Sequence, residues 1–349
     1  MADEHRRPKL KDVAARAGTS IATASRVLNN TGYIAEDTRA KVMQAAELLN
    51  YQPNLRAKGL RHGSSRTIGV LIPNLLNAYY TALADSISLL LTSNDYQMLL
   101  SSTRDDPLVE WKTLRTMIGH DVDGLIWVPT VNDPKLVKYL QSQRTPVISI
   151  IRRLPGSGFD TIVFKDYQGS QAATQHLIEL GHRRIGFIGG DIHQSSNHDR
   201  WQGFLNAMQD SGRAADDCLV KLGSTWSEWG EKATGELLEL EEPPTAIFVA
   251  SNAIMPGVLK TLRQHALQLP EDMSLVCFDD LDWFSYSLPP ITAVTTDHLR
   301  FAEAAVDLLM NRIHTPKVAG EPSALVQINF DLIVRQSTMA PRHYPLLQR

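Results

Sequence analysis

The stretch "DVAARAGTSIATASRVLNN", residues 12–30, decides how the N-terminal part of the chain folds. Apolar residues at helical spacing predict one helix over Lys9–Ala17 and a second over Ile21–Leu28. Gly18 supplies the left-handed residue that ends the first helix. Ser20 can cap the second helix by accepting a hydrogen bond from its free N–H groups.

A third helix is predicted over Glu36–Leu49, with Val42, Ala45, Ala46 and Leu49 on its core face. Two helices joined by a short turn and braced by a third form the helix-turn-helix plan, whose second helix enters the DNA major groove. Residues 1–66 carry a net charge of +6 and the remainder carries −9. This asymmetry favours a nucleic-acid partner for the basic segment, although charge alone leaves open a merely solvated terminal domain.

The composition sets limits on the class of protein. A chain of 349 residues with 43% hydrophobic residues fits two or three packed domains. No apolar run approaches the roughly 20 residues of a membrane helix, and the N-terminus lacks the apolar stretch of a secretory signal. Cys218 and Cys277 lie far apart in no metal or redox spacing, which favours buried thiols. We therefore expect a cytoplasmic protein with no membrane association.

Several segments closely resemble the lactose-repressor/galactose-repressor family of bacterial transcription regulators, in the expected order along nearly the whole chain. They are "LKDVAARAGTSIATASRVLNN", "TRAKVMQAAELLNYQPN", "TIGVLIPN", "ELGHRRIGFIGG", "PTAIFVASN", "LPEDMSLVCFDD" and "PPITAV". The resemblance implies an all-α helix-turn-helix domain over residues 1–52, a hinge over 53–66 and an α/β core over 67–340. It further implies a transcription regulator, a repressor by family, that pairs as a homodimer on a near-palindromic operator.

The resemblance assigns base reading to the second helix. Ile21 and Ala22 open this helix and can make only apolar contacts, for example with a thymine methyl group. Arg26, one turn further along, can donate two hydrogen bonds to guanine. Four neighbouring polar residues suit contacts with DNA phosphates: Ser20, Thr23, Ser25 and Asn29. For Thr23 and Ser25 the alternative is that they are ordinary exposed helix residues.

The segment "NYQPNLRAKGLRHGSSR", residues 50–66, joins the predicted head to the body. The resemblance implies a hinge helix that forms when two chains meet over DNA, with Leu60 wedged into the minor groove. Asn54, Arg56 and Lys58 complete the predicted DNA contacts of this segment. Gly59 stands where a better helix former is usual and costs roughly 1 kcal/mol relative to Ala, so the hinge should depend more on DNA for its order. A plain linker is the alternative.

From Thr67 onward, short apolar runs alternate with helical stretches, which predicts doubly wound parallel sheets covered by helices. The predicted strands are "TIGVLIP", "YQMLLSS", "GLIWVP", "PVISII", "TIVF", "RIGFIGG", "TAIFVAS" and "MSLVCFD". The first lobe should comprise residues 67–163 and 295–322, and the second 164–293 and 323–340. The crossing back after Thr295 is implied by the resemblance, which also implies the periplasmic-binding-protein plan with a ligand between lobes.

Open α/β sheets bind ligands at the carboxyl ends of their strands, where several polar and aromatic residues of this chain fall. The predicted effector-binding residues are Asn74, Tyr79, Tyr80, Asp166, Arg200, Trp226, Asn252 and Asp279. Arg200 is predicted to open a helix and to present a fixed fork to the ligand, and Asp279 to accept hydrogen bonds from hydroxyls. Trp226 resembles the aromatic residue that stacks on a sugar face, with Trp229 as the rival.

Three departures from the family pattern bear on the ligand: Ile151 and Ala253 stand where carboxylates are usual, and Lys165 where an Asp is common. Less negative charge in a dry pocket would relieve repulsion of an anionic ligand. The sequence therefore suggests a sugar acid or sugar phosphate rather than a neutral sugar, while a variant without any effector stays open.

The chain carries no recognisable catalytic constellation. It lacks a Walker loop, an HExxH motif and a G-x-S-x-G motif, and its 11 histidines show no metal-ligand spacing. We predict no enzyme, no cofactor and no metal. An exported solute receptor and a sugar-processing enzyme are the alternative classes, and the ending "APRHYPLLQR" without apolar heptads favours a dimer over a tetramer.

Overall fold

The computed structural model describes residues 8–51, 64–213, 216, 219–318 and 320–342. The chain divides into two compact units, residues 1–65 and 66–349. Among the described residues, no helix combines the length and the apolar character that crossing a membrane requires.

The N-terminal unit contains three helices, α1 (Leu10–Arg16), α2 (Ile21–Leu28) and α3 (Glu36–Leu48). Their bounds agree with the predicted helices to within a residue. Small apolar side chains from all three helices form the core, which allows the short helices to approach closely: Val13, Ala14, Ala24, Val27, Val42, Ala45 and Ala46. The predicted Leu49 packs against this core as a partly buried residue.

The second unit is built on two six-stranded sheets. The strands are β1 (Thr67–Ile72), β2 (Gln97–Ser102), β3 (Gly124–Trp127), β4 (Val147–Ile150), β5 (Asp160–Phe164), β6 (Ile185–Gly189), β7 (Val220–Leu222), β8 (Ala246–Val249), β9 (Ser274–Phe278), β10 (Thr292–Thr296), β11 (Leu325–Ile328) and β12 (Phe330–Ile333). The first sheet has the order β11-β5-β4-β3-β1-β2 and the second β12-β10-β9-β8-β6-β7.

All the strand pairs are parallel except β10 with β12. The helices that cover the sheets are α4 (Ala78–Ser93), α5 (Pro107–Gly119), α6 (Pro134–Gln141), α7 (Asp166–Glu179), α8 (Ser195–Asp210), α9 (Ser227–Leu238), α10 (Met255–Gln264) and α11 (His298–His314), with a 3-10 turn at Asp282–Ser285. The predicted doubly wound α/β fold is therefore confirmed.

The chain passes between the sheets three times, from β5 to α7, from β10 to α11 and from β11 to β12. The strand β10 belongs to the second sheet as far as Thr296, and β12 begins only two residues after Ile328 ends β11. Each sheet is covered on both faces, with fully buried side chains such as Ile68, Ile126, Ile247 and Phe248 along its central strands.

Candidate functional site

The helix α2 begins as its sequence predicts. The Ser20 hydroxyl accepts a hydrogen bond from the backbone N–H of Thr23 at 3.0 Å, which confirms Ser20 as the cap. Ala24 and Val27 are buried in the core of the unit, while Ile21, Ala22 and Arg26 on the other side are exposed. One side of the helix therefore holds the fold and the other is available to a partner.

Two of the predicted phosphate-contacting residues are less accessible to a partner than the exposed residues of α2. Ser25 and Asn29 are half-buried, and the Asn29 amide donates to the Ser25 backbone carbonyl at 2.9 Å. The hydroxyls of Ser20 and Thr23 lie 2.9 Å apart within hydrogen-bond reach. These contacts fix the side chains at the helix ends, and the DNA-contacting roles of all four residues stay predictions.

Tyr33 is a candidate contact residue that the sequence reasoning missed. It lies in the connection between α2 and α3, and its side chain is fully exposed. Arg39 holds this connection in place by donating from Nη1 to the Asn30 side-chain oxygen at 2.8 Å. The available signal was an aromatic residue inside the polar stretch "NNTGYIAED". The predicted hinge contacts Asn54, Arg56, Lys58 and Leu60 lie outside the described residues.

The second unit contains a pocket where the carboxyl ends of strands from both sheets meet. Its volume is about 590 Å³, including its opening to solvent. The lining includes six of the eight predicted effector-binding residues: Asn74, Tyr79, Tyr80, Arg200, Trp226 and Asp279. The order of the strands reverses at β1 in the first sheet and at β6 in the second, and the pocket lies beside both strands. Doubly wound folds bind ligands at such points.

Three pocket residues hold a backbone conformation that L-residues rarely adopt. Asp105, Ile151 and Asp279 follow the ends of strands and have φ angles of 57°, 66° and 69°. A positive φ in a β-branched residue such as Ile151 is a clear outlier. Strain of this kind concentrates at functional sites, where the surrounding fold imposes it.

Arg200 is the best-anchored side chain of the pocket. Its Nε donates to Asp166 at 2.8 Å, and Nη1 donates to the Ala250 carbonyl at 2.8 Å. Both terminal nitrogens reach the Asp279 carboxylate, at 3.2 and 3.3 Å. The guanidinium carbon also lies 3.7 Å from the centre of the Phe278 ring. These hydrogen bonds use four of the five N–H donors of the guanidinium, so most of the predicted fork is already engaged by the protein.

The prediction that Arg200 opens a helix is wrong. The helix α8 begins at Ser195, so Arg200 lies in its second turn. The preceding residues "SSNHD" are polar and gave no apolar periodicity from which to recognise the first turn.

Burial and pairing shift the acid–base behaviour of this cluster. Burial raises the pKa of Asp166 from 3.8 to about 6, although the neighbouring Arg200 opposes the shift. Burial disfavours the charged Arg200, but Asp279 and Asp166 together raise its pKa above the ordinary value. Burial also raises the pKa of Tyr79 well above its usual range. At neutral pH the guanidinium is therefore charged and the phenol is neutral.

Two predicted effector residues do not line the pocket. Asp166 lies behind Arg200 and holds it, and the Asn252 amide donates to Asp279 at 3.4 Å. Of the two tryptophans, Trp226 lines the pocket, whereas Trp229 packs against the second lobe's core and donates to the Gly189 carbonyl at 3.0 Å.

Two of the three residues on which the prediction of an acidic ligand rests lie away from the pocket lining. Lys165 and Ala253 do not line the pocket, and Ile151 does. The lining contains a second cation, Arg152, which sequence reasoning missed and which forms an ion pair with Asp105 at 2.6 Å. Arg152 also donates to the Pro129 carbonyl at 2.9 Å. Both pocket arginines are thus matched by carboxylates, so the charged side chains of the described lining carry no net charge.

Comparisons with known proteins agree with this architecture. A family model described as "Bacterial regulatory proteins, lacI family" matches residues 9–54, and a model described as "Periplasmic binding protein-like domain" matches residues 174–338. The chain is 30% identical over 328 residues to the HTH-type transcriptional repressor PurR of Haemophilus influenzae (strain PittEE), covering 94% of this chain and 98% of the relative. Catabolite control protein A of Priestia megaterium is similar to the same extent, with the same coverage.

Solved structures show the same arrangement. The complex of the transcriptional regulator CelR with cellobiose has a TM-score of 0.72 at 27% identity, covering 95% of this chain and 100% of that one. The lac repressor dimer bound to operator and the anti-inducer ONPF has a TM-score of 0.82 at 23% identity, covering 96% and 100%, and shows the fold. Together with the helix-turn-helix unit and the two-lobed pocket, these similarities place the chain in the lacI family of bacterial regulatory proteins, as a DNA-binding transcriptional repressor rather than an enzyme.

Proposed function

We propose that this repressor binds a near-palindromic operator as a homodimer and that a small hydroxyl-rich ligand controls its affinity for DNA. The observation that carries the proposal is the polar pocket between two lobes in a chain that also holds a helix-turn-helix unit. A ligand that prefers one arrangement of the lobes shifts the equilibrium between DNA-binding and released states, typically by 1–3 kcal/mol. Such a protein works where the DNA is, in the bacterial cytoplasm and at the nucleoid.

For the DNA contact, the exposed side of α2 supports a division of roles. Ile21 and Ala22 offer apolar contacts to thymine methyl groups, and Arg26 offers paired donors to guanine. The residues Ser20, Thr23, Ser25 and Asn29 would position the helix on phosphates. The hinge residues complete the proposed interface in the minor groove: Asn54, Arg56, Lys58 and Leu60.

For the dimer, exposed apolar side chains support a second copy as the partner. Leu89 on α4 and Leu99 on the edge strand β2 are exposed, and α4 packs directly against β2. Tyr286 and Leu288 expose a second apolar site in the other lobe. Exposed apolar residues in both lobes suit a lengthwise interface between two identical chains, whose two-fold symmetry matches a palindromic site.

For the ligand, the balance of charge in the pocket favours a neutral sugar over a sugar acid or a sugar phosphate. Both arginines are bound to carboxylates, so an added anion would compete with Asp105 and Asp279 for the donors that already face them. Asn74, Asn77 and Ser251 add uncharged polar groups to the lining. Trp226 offers an aromatic face suited to a sugar ring. The cellobiose bound by CelR agrees with this class of ligand.

The first test addresses DNA. We expect the full-length protein to retard a fragment of DNA upstream of its target genes, with an affinity that falls steeply with salt because many phosphates are contacted. Arg26→Ala should cost on the order of 1–3 kcal/mol of discrimination in competition assays on randomised operators. The control Lys11→Ala removes another exposed cation of the basic N-terminal unit, on α1, and should weaken binding to all sequences alike. If neither variant lost sequence preference, the assignment of Arg26 would be contradicted. If the protein did not retard the DNA fragment at low salt, the proposed function would be contradicted.

The second test addresses the ligand. The Tyr79 hydroxyl is buried in the pocket lining without a hydrogen-bond partner, so a bound ligand is its natural acceptor. Tyr79→Phe should leave unfolding stability and operator affinity unchanged, or raise stability slightly, and should weaken ligand binding by about tenfold, or 1.4 kcal/mol. A thermal-shift screen of sugars, sugar acids and sugar phosphates supplies the ligand. Unchanged affinity in Tyr79→Phe would contradict the proposed pocket.

A further inference from the structure

The helices α5 and α6 of the first lobe carry a basic surface. Lys112 and Arg115 are exposed on α5, and Lys135 and Lys138 are exposed on α6. Within the described part of the chain, none of these four side chains forms an ion pair. We call the four residues the α5–α6 patch. Residues 67–349 carry a net charge of −9, so the positive charge is local to these helices.

The carboxylates of the same elements are withdrawn from the patch or lie at its ends. Glu110 of α5 is fully buried, and α6 contains no acidic residue. Asp133, which caps α6, accepts a hydrogen bond from the Trp111 indole at 2.8 Å. The exposed Asp106 and Asp121 lie beyond the two ends of α5. The outer faces of the two helices therefore present four cations and no exposed carboxylate.

The fold holds the four cations at short spacing. Residues three apart on a helix lie on the same side of it, with Cβ atoms about 5–6 Å apart, and each helix contributes one such pair to the patch. Both helices cover the same face of the first sheet, and the rings of Trp111 and Tyr139 meet between them with centroids 5.4 Å apart. Packed helices lie about 8–10 Å apart, so the patch consists of two neighbouring pairs of positive charge.

The other exposed residues of this surface favour duplex DNA over an acidic protein as the partner. Thr116, Gln141 and Ser142 are exposed near the cations in the sequence and are polar. Such residues, together with Lys and Arg, commonly contact DNA phosphates. A specific protein interface needs an apolar centre, whereas the exposed apolar residues of α5, Leu108 and Val109, are confined to its first turn.

The two helices end at the side of the lobe where the chain arrives from the helix-turn-helix unit. The strand β1 starts at Thr67, the second residue of the second unit. The backbone N–H of Asp123, just before β3, donates to the Thr67 carbonyl at 2.8 Å, so the two strands start side by side. Because α5 ends shortly before β3 and α6 shortly before β4, both helices end there, and the exposed Arg144 before β4 adds a further cation. The chain therefore tethers any DNA held by the first unit to this end of the lobe.

We propose that the α5–α6 patch binds the phosphate backbone of duplex DNA outside the operator, without preference for sequence. Lys and Arg contacts to phosphates position a protein on DNA and carry no sequence information. Each such contact releases counterions and so strengthens binding most at low salt. The tether raises the effective concentration of neighbouring DNA, so even weak contacts add to the total affinity. The inference goes beyond the proposed function, since it adds a DNA-contacting surface outside the helix-turn-helix unit and the hinge.

The test compares two duplexes in mobility shifts with the full-length protein. The short duplex holds only the operator selected from randomised sequences, and the long duplex adds three helical turns of unrelated sequence on each side. At low salt the wild type should bind the long duplex about tenfold more tightly, or better, and its log–log salt slope should be steeper by about 0.9 for each added phosphate contact. The patch variant combines Lys112→Gln, Arg115→Gln, Lys135→Gln and Lys138→Gln. It should lose most of this gain, while its affinity for the short duplex stays within twofold of the wild type.

The matched control removes four exposed cations elsewhere in the second unit and so changes the net charge equally: Arg183→Gln, Lys232→Gln, Arg300→Gln and Arg342→Gln. The control variant should keep the gain from the flanking DNA. The proposal is overturned if the wild type shows no gain, if the patch variant keeps it, or if both variants lose it equally. Binding of poly-L-glutamate to the wild type but not to the patch variant, without any gain from the flanks, would assign the surface to an acidic protein and also overturn it.

The short duplex separates this inference from the proposed function. A patch variant that still retards the short duplex is folded and leaves the operator-binding repressor intact, whatever the flanking DNA does. Failure of the wild type to retard the short duplex at low salt would count against the proposed function itself.

Discussion

At the scale of single residues, the pocket is organised around charges that the protein itself neutralises. Arg200 lies between Asp166 and Asp279, and Arg152 lies against Asp105. Removing one member of a buried pair leaves its partner uncompensated, at a cost of about 3–5 kcal/mol. Substitution of Arg200 therefore tests folding as much as ligand binding, and milder variants are more informative.

Asp166→Asn is such a variant, because the amide keeps an oxygen for Arg200 and loses the charge. The pKa of Asp166 is raised from 3.8 to about 6, so the folded state holds this proton more tightly than the unfolded chain. The contribution of Asp166 to the free energy of unfolding of the wild type is therefore lost as the pH rises from about 4 to about 6. The loss amounts to up to about 3 kcal/mol. In urea unfolding, the free energy of unfolding of Asp166→Asn should rise relative to that of the wild type between pH 4.5 and pH 7.5. Parallel pH profiles would contradict this assignment.

Some residue-level properties could be predicted and others could not. The capping role of Ser20 follows from its neighbours along the chain, and so does the exposed side of α2. The ion pair of Arg152 with Asp105 joins residues 47 positions apart, and only the packing of the strands brings them together. Lys165 shows the converse: its position beside Asp166 in the sequence placed it near the cleft, yet it does not line the pocket.

At the scale of elements, long apolar runs were predicted well and short or polar segments poorly. The fully buried strands, such as β8, read as continuous hydrophobic stretches, as parallel strands do. The edge strand β7 was missed because three residues, "VKL", with half-buried side chains carry no such signal. The first turn of α8 was missed for a related reason, since its buried residues include Ser196 and Asn197.

The helices α7 and α8 pack closely at a glycine. A Cβ atom at Gly203 of α8 would overlap the Tyr167 carbonyl oxygen and lie 2.9 Å from the Ser170 Cβ. Backbone cannot yield as a flexible side chain does, so Gly203→Ala should destabilise the protein by about 1–3 kcal/mol or more in urea unfolding. The matched control is Gly235→Ala in α9, where nothing lies within 4 Å and about 0.5–1 kcal/mol should be gained. Equal effects would contradict the close approach.

A buried histidine fastens the chain's last described segment to the second lobe. The His182 ring lies within hydrogen-bond distance of the Thr245 hydroxyl, at 2.8 Å, and of the Met339 carbonyl, at 2.9 Å. Burial lowers the pKa of His182. Burial also lowers the pKa of His176, whose ring lies within hydrogen-bond distance of the Thr338 hydroxyl in the same segment. The neutral rings therefore stabilise the fold above about pH 6.5, and this contribution is lost as pH falls below that value.

His182→Gln tests this contribution. The free energy of unfolding of His182→Gln should be lower than that of the wild type at pH 7. It should then fall less than the wild-type value as the pH is lowered from 7 to 5. The direction is opposite to the effect of Asp166, so the two variants separate the two groups. A variant that loses as much stability as the wild type on acidification would show that His182 is not the titrating group.

At the scale of the whole second unit, Arg153 bridges the two lobes. Arg153 follows β4 of the first lobe, and its backbone N–H donates to the Ser195 hydroxyl of α8 in the second lobe at 2.7 Å. Its guanidinium also reaches Asp199 of α8 at 2.7 Å. These two contacts favour the arrangement of lobes seen here over any arrangement that separates them.

Asp199→Asn should weaken that preference. Because both side chains are partly exposed, the pair is worth no more than about 1 kcal/mol, and the ligand concentration that half-changes operator binding should move by at most about fivefold. Titrating operator binding with ligand measures the shift. The order of preference among operator sequences should not change, since α2 lies in the other unit. A changed sequence preference would contradict this separation of roles.

The three passages between the sheets constrain how the second unit can move. Only Lys165, Asp297 and Asn329 separate the flanking elements at these points. Three short tethers permit one lobe to swing about them but not to slide far from the other lobe. A gene cut at any of them would divide at least one lobe's sheet between two polypeptides, so we expect neither lobe to fold from one contiguous piece of the chain.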